Sequence, residues 1–146
     1  WCTGVGEICK PLKLKQRFYF VLVLSPKTPV PTGWAYQTLD QWRAKYRIRT
    51  RLLGLPSEWM NPEVVIPELE NHFEPLVILK KPVLGHVKAA IARSGAMAAA
   101  MSGSGSAFFG VFLTRSAALA AARDLKRKGF WAVFTEGFVD KGQKAF

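Results

Sequence analysis

The sequence predicts an α+β domain: an open, mostly antiparallel sheet covered by helices on one side. Three observations lead there. The chain has 146 residues, 49% hydrophobic and 21% charged, enough for one domain (1–146) with a real core and too few for two comfortable ones. Two apolar, strand-compatible runs, 96–101 and 107–113, are joined by a five-residue Ser/Gly turn and read as a hairpin. Helical and strand periodicities then mix without the regular βαβ cadence of a parallel doubly wound sheet.

The elements follow in order. Residues 17–24, Arg-Phe-Tyr-Phe-Val-Leu-Val-Leu, are β-branched, aromatic and leucine-rich, and end at Ser25-Pro26, which predicts a buried strand. Pro26, Pro29 and Pro31 forbid a regular ladder or helix, so 25–33 is an extended loop. Thr32 then serves as N-cap for a helix from Gly33 or Trp34 to about Tyr46, with Trp34, Leu39 and Trp42 as its apolar positions. Residues 71–79 read as helix, with Pro75 confined to a first turn or a kink. Residues 86–93 form a short helix that Gly95 closes in the left-handed conformation. After the hairpin, Ser116 caps an amphipathic helix to Lys128. Leu119, Ala122 and Leu125 lie on one face, Lys126-Arg127-Lys128 complement the dipole, and Gly129 ends it. A last strand covers 131–135.

Composition narrows the function classes. The most apolar stretch, 96–113, is interrupted by the Ser/Gly turn, and no run reaches the ~18 apolar residues a membrane span needs. The first residues lack the basic-then-apolar layout of a secretion signal. A cytosolic protein is expected. Opening on Trp1, with Gly4 and Gly6 close behind, the chain reads as a cut inside a longer protein. Cys2 and Cys9 have no second Cys or His pair to complete a zinc site, and His72 and His86 are far off in sequence, so no metal site is expected. Two reduced thiols are favoured over a local disulfide. The net charge of +11 attracts polyanions, whether nucleic acid, an acidic membrane face or phosphorylated small molecules.

Arg43, Lys45, Arg47, Arg49 and Arg51 alternate with other residues; a strand would gather them on one face and a helix would scatter them. The acidic Glu58, Glu63, Glu68, Glu70 and Glu74 follow, and neutralisation across a helical hairpin is the bland reading of both runs. The competing one is a nucleic-acid patch, with cations on phosphates and the rings of Trp42 and Tyr46 on bases.

The turn Ser102-Gly103-Ser104-Gly105-Ser106 is the most informative local feature. Alternating glycines let successive backbone N–H groups face one concavity, and three hydroxyls add donors, which suits a phosphate oxygen. On spacing alone a plain hairpin loop remains the alternative. No Gly-Lys-Ser/Thr follows, so it is not a Walker A loop.

The stretch from Ser94 through this turn to Phe112 resembles the third signature motif of the GHMP superfamily of small-molecule kinases, in the version carried by the branch that acts on a cytidylyl substrate. Three further segments fall in the order that family requires: Gly4-Val5-Gly6-Glu7, Thr32-Gly33-Trp34-Ala35-Tyr36, and Asn71-His72-Phe73-Glu74, where His72 replaces the usual Asp. The resemblance implies an α+β C-terminal half of a two-domain kinase that moves the γ-phosphoryl of ATP, with Mg²⁺, onto a hydroxyl of a cytidylyl small molecule of the non-mevalonate isoprenoid route. It places Tyr36 as an aromatic stacked on the cytosine, with packing in the core as the equal alternative. Thr32 and Gly33 fall beside the base, and Ser102, Gly103, Ser104, Gly105 and Ser106 at the cleft near the phosphates. The family's ATP-cradling glycine loop and its catalytic Lys and Asp belong to an N-terminal half that no segment here matches. Asp124 and Asp140 read as surface or capping acids. No catalytic residue is therefore expected in this chain, which alone should be inactive.

Overall fold

The computed structural model describes residues 2–3, 8–9, 17–25, 27–46, 66 and 69–137. Two short strands, β1 (Cys2–Thr3) and β2 (Ile8–Cys9), pair antiparallel with Cys2 opposite Cys9. The remaining elements are β3 (Tyr19–Leu24), α1 (Thr32–Tyr46), α2 (Glu74–Lys80), α3 (Val83–Arg93), β4 (Ala98–Met101), β5 (Ala107–Phe112), α4 (Arg115–Arg127) and β6 (Trp131–Glu136).

The last four strands form one open sheet in the order β4-β5-β3-β6, every neighbouring pair antiparallel. Strands β3 and β4 therefore run parallel with β5 between them, and β5 and β6 run parallel with β3 between them. Two split β-α-β units interleave, which is how a chain without βαβ cadence still uses helical crossovers. The α+β class and the antiparallel sheet are as expected.

Register divides the sheet into two faces. Val21 and Val23 on β3 lie level with Gly110 and Phe108 on β5 and with Phe134 and Ala132 on β6. This face meets α3 and α4. Phe108, Phe112, Leu84, Ile91 and Leu125 are each essentially sealed from water there, contributing about 1.5–3 kcal/mol apiece. The small residues Ala118, Ala121 and Ala122 let α4 approach closely, and all three are buried. Leu119, expected on that face, is only half-buried, because Ala118 occupies the inward position. On the opposite face Ile66 packs with Phe18 and Val111.

Helix starts differ from expectation, each for a local reason. Thr114, in extended backbone, caps α4 by accepting the Ala117 N–H at 3.2 Å; Ser116 already lies in the first turn. Helix α3 begins at Val83, before His86, because Pro82 supplies a helical φ of −56° where no N–H is needed. Thr32 is the first residue of α1 and not its cap, since Pro31 accepts the Ala35 N–H. Helix α2 starts at Glu74, with Pro75 in its first turn as expected. Strand β4 starts at Ala98. Gly95 and Gly129 take the anticipated positive φ, 88° and 86°.

Arg43 and Lys45 lie on α1, where neighbours two apart diverge around the axis. The rest of the basic run (Arg47, Arg49, Arg51) and Glu58, Glu63 and Glu68 fall outside the described residues. Glu74 does not answer the basic run: it pairs with Lys88.

Candidate functional site

The 102–106 turn joins β4 to β5 and is drawn tight by two backbone bonds, Ser102 N–H to Ala107 O at 2.8 Å and Gly105 N–H to Ser102 O at 3.1 Å. Gly103 and Gly105 hold φ of 56° and 96°, the left-handed region that L side chains avoid. Left-handed glycines two apart let backbone amides of such a turn face one concavity. The Gly103 and Ser104 amides donate to no acceptor among the described residues.

Three segments fix the turn from outside. Ser106 Oγ donates to Ser25 O at 3.1 Å, tying it to the end of β3. Thr32 Oγ1 meets Ser104 Oγ at 3.0 Å. That contact sets the turn against the N-terminus of α1, whose first amides lack helical acceptors and carry the positive end of the dipole. The third segment is Asn71 to Glu74. Asn71 Nδ2 donates to Met101 O at 2.7 Å and Gly103 O at 2.8 Å, and its Oδ1 accepts the Phe73 N–H at 2.9 Å. Glu74 Oε2 accepts the Met101 N–H at 2.7 Å while Oε1 pairs with Lys88. Glu74 is the sole charged residue buried among those described, and both its oxygens are satisfied, as burial of a carboxylate demands.

Tyr36 stands one turn into α1, its ring edge-on to Phe73 at 4.9 Å between centroids. It is 55% exposed, so it is not a core aromatic; it is braced from one side and open on another. A cleft runs past it, lined by Tyr36, Arg43, Glu70, His72 and Gly103. A neighbouring hollow of about 340 Å³ shares Arg43, Glu70 and His72 and extends to Trp42 and Lys88. Tyr36, Leu39 and Arg43 follow one another at i, i+3 and i+7, one stripe of the helix.

The residues singled out in the sequence thus gather: Thr32, Gly33 and Tyr36 on the first turns of α1, and Ser102, Gly103, Ser104, Gly105 and Ser106 directly across from them. His72 also lines the cleft, and His86 lies on α3. Asp124 is remote, bonded to Lys128 at 2.5 Å, which with Arg127 lowers its pKa below the ordinary 3.8. Asp140 lies outside the described residues. No group of three or more His, Cys, Asp or Glu that could hold a metal occurs among the described residues. Sequence reasoning gives Asn71 and Lys88 no role and Glu74 only that of neutralising the basic run; the Asn-His-Phe-Glu motif is the signal that points to Asn71 and Glu74.

Residues 54–130, just over half of the chain, match the family "GHMP kinases C terminal". The 4-diphosphocytidyl-2-C-methyl-D-erythritol kinase of Syntrophotalea carbinolica is 34% identical over 92% of this chain and 46% of its own length. That of Bacteroides thetaiotaomicron is 36% identical over 77% and 39%. A crystal structure of 4-(cytidine 5'-diphospho)-2C-methyl-D-erythritol kinase superposes with a TM-score of 0.65 at 30% identity, over 92% of this chain and 47% of the other. The mevalonate kinase of L. major, at 15% identity and a TM-score of 0.55 over 86% and 44%, shares the fold. The chain spans about half the length of the relatives it matches.

Proposed function

Since the chain belongs to the GHMP kinase family and matches its C-terminal part, we propose that it is the substrate-side half of a kinase that phosphorylates 4-diphosphocytidyl-2-C-methyl-D-erythritol, using ATP, in the non-mevalonate isoprenoid route. The observation that carries this reading is the meeting of an exposed aromatic, Tyr36, with the Ser/Gly turn across the N-terminus of α1. One end of the site offers a π-face and the other offers backbone donors, hydroxyls and a helix dipole, the complement of a nucleotide diphosphate.

In this reading the Tyr36 ring stacks on the cytosine, and Thr32 and Gly33 lie beside the base. The turn's amides and hydroxyls draw phosphate oxygens into place, so the chain binds and orients. ATP, when bound, supplies the phosphoryl group. Phosphoryl transfer depends on positioning and charge neutralisation, and the described residues contribute donors to it and no metal-ligand cluster. In this proposal Mg²⁺ is a requirement of the whole enzyme, where it would neutralise charge on the transferred phosphoryl group. The chain spans 46% of the length of one such kinase, and on the family resemblance the positioned base and the ATP-cradling loop are expected in the part it does not span, so the isolated chain is expected to bind weakly and to be inactive. A cytoplasmic location accords with a soluble metabolic substrate, and no helix among the described residues is long and apolar enough to cross a membrane. The nucleic-acid reading of the basic run gains no support: the relatives named above are small-molecule kinases.

The test is heteronuclear NMR of the labelled chain, titrated with cytidine. Shifts confined to the Tyr36 ring and the Thr32 and Gly33 amides, abolished in Tyr36→Ala and kept in Tyr36→Phe, are expected. Shifts scattered over other surfaces, or unaltered by Tyr36→Ala, refute the base site.

A further inference from the structure

We propose that Asn71 and Glu74 are positioning residues for the 102–106 turn: they aim its free backbone donors without touching the ligand. The inference rests on the reading of that turn as the phosphate side of the site. Met101, the last residue of β4, is gripped at both ends. Its N–H goes to Glu74 Oε2 at 2.7 Å and its C=O to Asn71 Nδ2 at 2.7 Å. The second Asn71 donor hydrogen takes Gly103 O at 2.8 Å, and Oδ1 is held by the Phe73 N–H. Both Asn71 donors and its acceptor are thus committed, which fixes the side chain's orientation.

The consequence follows from peptide planarity. In a trans peptide the C=O of one residue and the N–H of the next point in opposite directions. With Met101 O turned to Asn71, the Ser102 N–H must point the other way, and there it meets Ala107 O at 2.8 Å. With Gly103 O turned to Asn71, the Ser104 N–H must likewise point away from Asn71. That amide has no acceptor among the described residues, so Asn71 decides where the turn presents a free donor. Glu74 holds the base of the turn in register, and Lys88 neutralises Glu74 so that the carboxylate can stay buried. On this account Lys88 is a counter-ion and not a cation offered to substrate.

The experiment uses the labelled chain with inorganic pyrophosphate as probe, alongside amide hydrogen exchange without ligand. In the wild type, pyrophosphate should shift the Ser104 amide. Asn71→Asp is nearly isosteric but sets a charged acceptor against two carbonyls, so it should weaken binding more than tenfold and move the ligand-free Ser104 resonance. Asn71→Ala, which only releases the carbonyls, should be intermediate. A packing role predicts the reverse order, with Asp nearly silent and Ala worst, and that result would overturn the proposal. Glu74→Ala should speed Met101 amide exchange at least tenfold. Glu74→Gln, which keeps an acceptor, should restore most of the protection. Ala120→Gly, on the exposed side of α4, should lower Tm while leaving pyrophosphate binding intact, separating positioning from general destabilisation. If the wild type gives no pyrophosphate shift, the phosphate reading fails. The clamp is then judged on the ligand-free amides, and an unchanged Ser104 signal in Asn71→Asp with unchanged Met101 exchange in Glu74→Ala overturns it as well.

Discussion

Gly105 and Gly103 both hold positive φ, yet their surroundings differ, and that difference can be measured. A Cβ on Gly103 would meet nothing within 4 Å, whereas one on Gly105 would stand 2.9 Å from Met101 Sδ and 3.3 Å from Val30 Cγ2. The left-handed conformation costs an alanine about 1–2 kcal/mol at either site. Only Gly105→Ala adds overpacking, about 1–3 kcal/mol. The lower end holds if the Met101 thioether yields, as methionines readily do. The upper end holds if burial of Met101 and Val30, at 2% and 8% exposure, blocks the retreat. Gly103→Ala should therefore cost about 1–2 kcal/mol and Gly105→Ala about 2–5 kcal/mol. For a chain of this length that separates the two variants by roughly 3 °C or more in Tm. Urea unfolding followed by far-UV circular dichroism, with thermal melts as a second measure, reads both. If the two variants agree within about 0.5 kcal/mol, the ordinary scatter of surface changes, the turn does not pack onto Met101 and Val30 as described.

Three further outcomes are expected. Thr114→Ala should cost about 1 kcal/mol as a lost N-cap, while Ser116→Ala should stay within about 0.5 kcal/mol; chemical denaturation distinguishes them, and the reverse order would restore Ser116 as the cap. Phe108→Ala, which empties a site sealed between β5 and the helices, should cost about 3–5 kcal/mol, a large share of the ~5–15 kcal/mol that holds a typical domain, visible as a collapse of the denaturation midpoint. The Asp124 carboxyl should titrate by NMR below 3.8, because the Lys128 hydrogen bond favours its charged form. Its folded pKa is depressed, so its contribution to stability is present above 3.8 and lost as pH falls through the lowered value; Lys128→Met should bring the midpoint back up.

Much of the fold was legible because its signals are local. The hairpin around the Ser/Gly turn, the left-handed Gly95 and Gly129, and the apolar face of α4 each depend on residues a few positions apart, which periodicity and capping chemistry can read. The misplaced helix starts show where local signals compete. Thr114 and Ser116 are both acceptable caps by residue type, and only the extended backbone at Thr114, φ −123° and ψ 145°, decides between them. Pro82 likewise outweighed the periodicity that placed the start of α3 at His86.

The site was legible only in part, for a different physical reason. A glycine-serine turn announces that backbone donors can be exposed, but not where they point. Direction is set by what the carbonyls bond to, and Met101 O and Gly103 O bond to Asn71, some thirty residues upstream in the chain. No spacing rule reaches that far. The same holds for Tyr36, whose packing and stacking alternatives were balanced in the sequence. Its 55% exposure and the edge-on Phe73 brace show a ring held in orientation without being buried, which is what a stacking platform needs. Phe73 lies between Asn71 and Glu74 in one motif, so a single short segment braces the aromatic and aims the turn. A substitution there should disturb the base end and the phosphate end together, whereas one in Ser104 or Tyr36 should disturb one end alone.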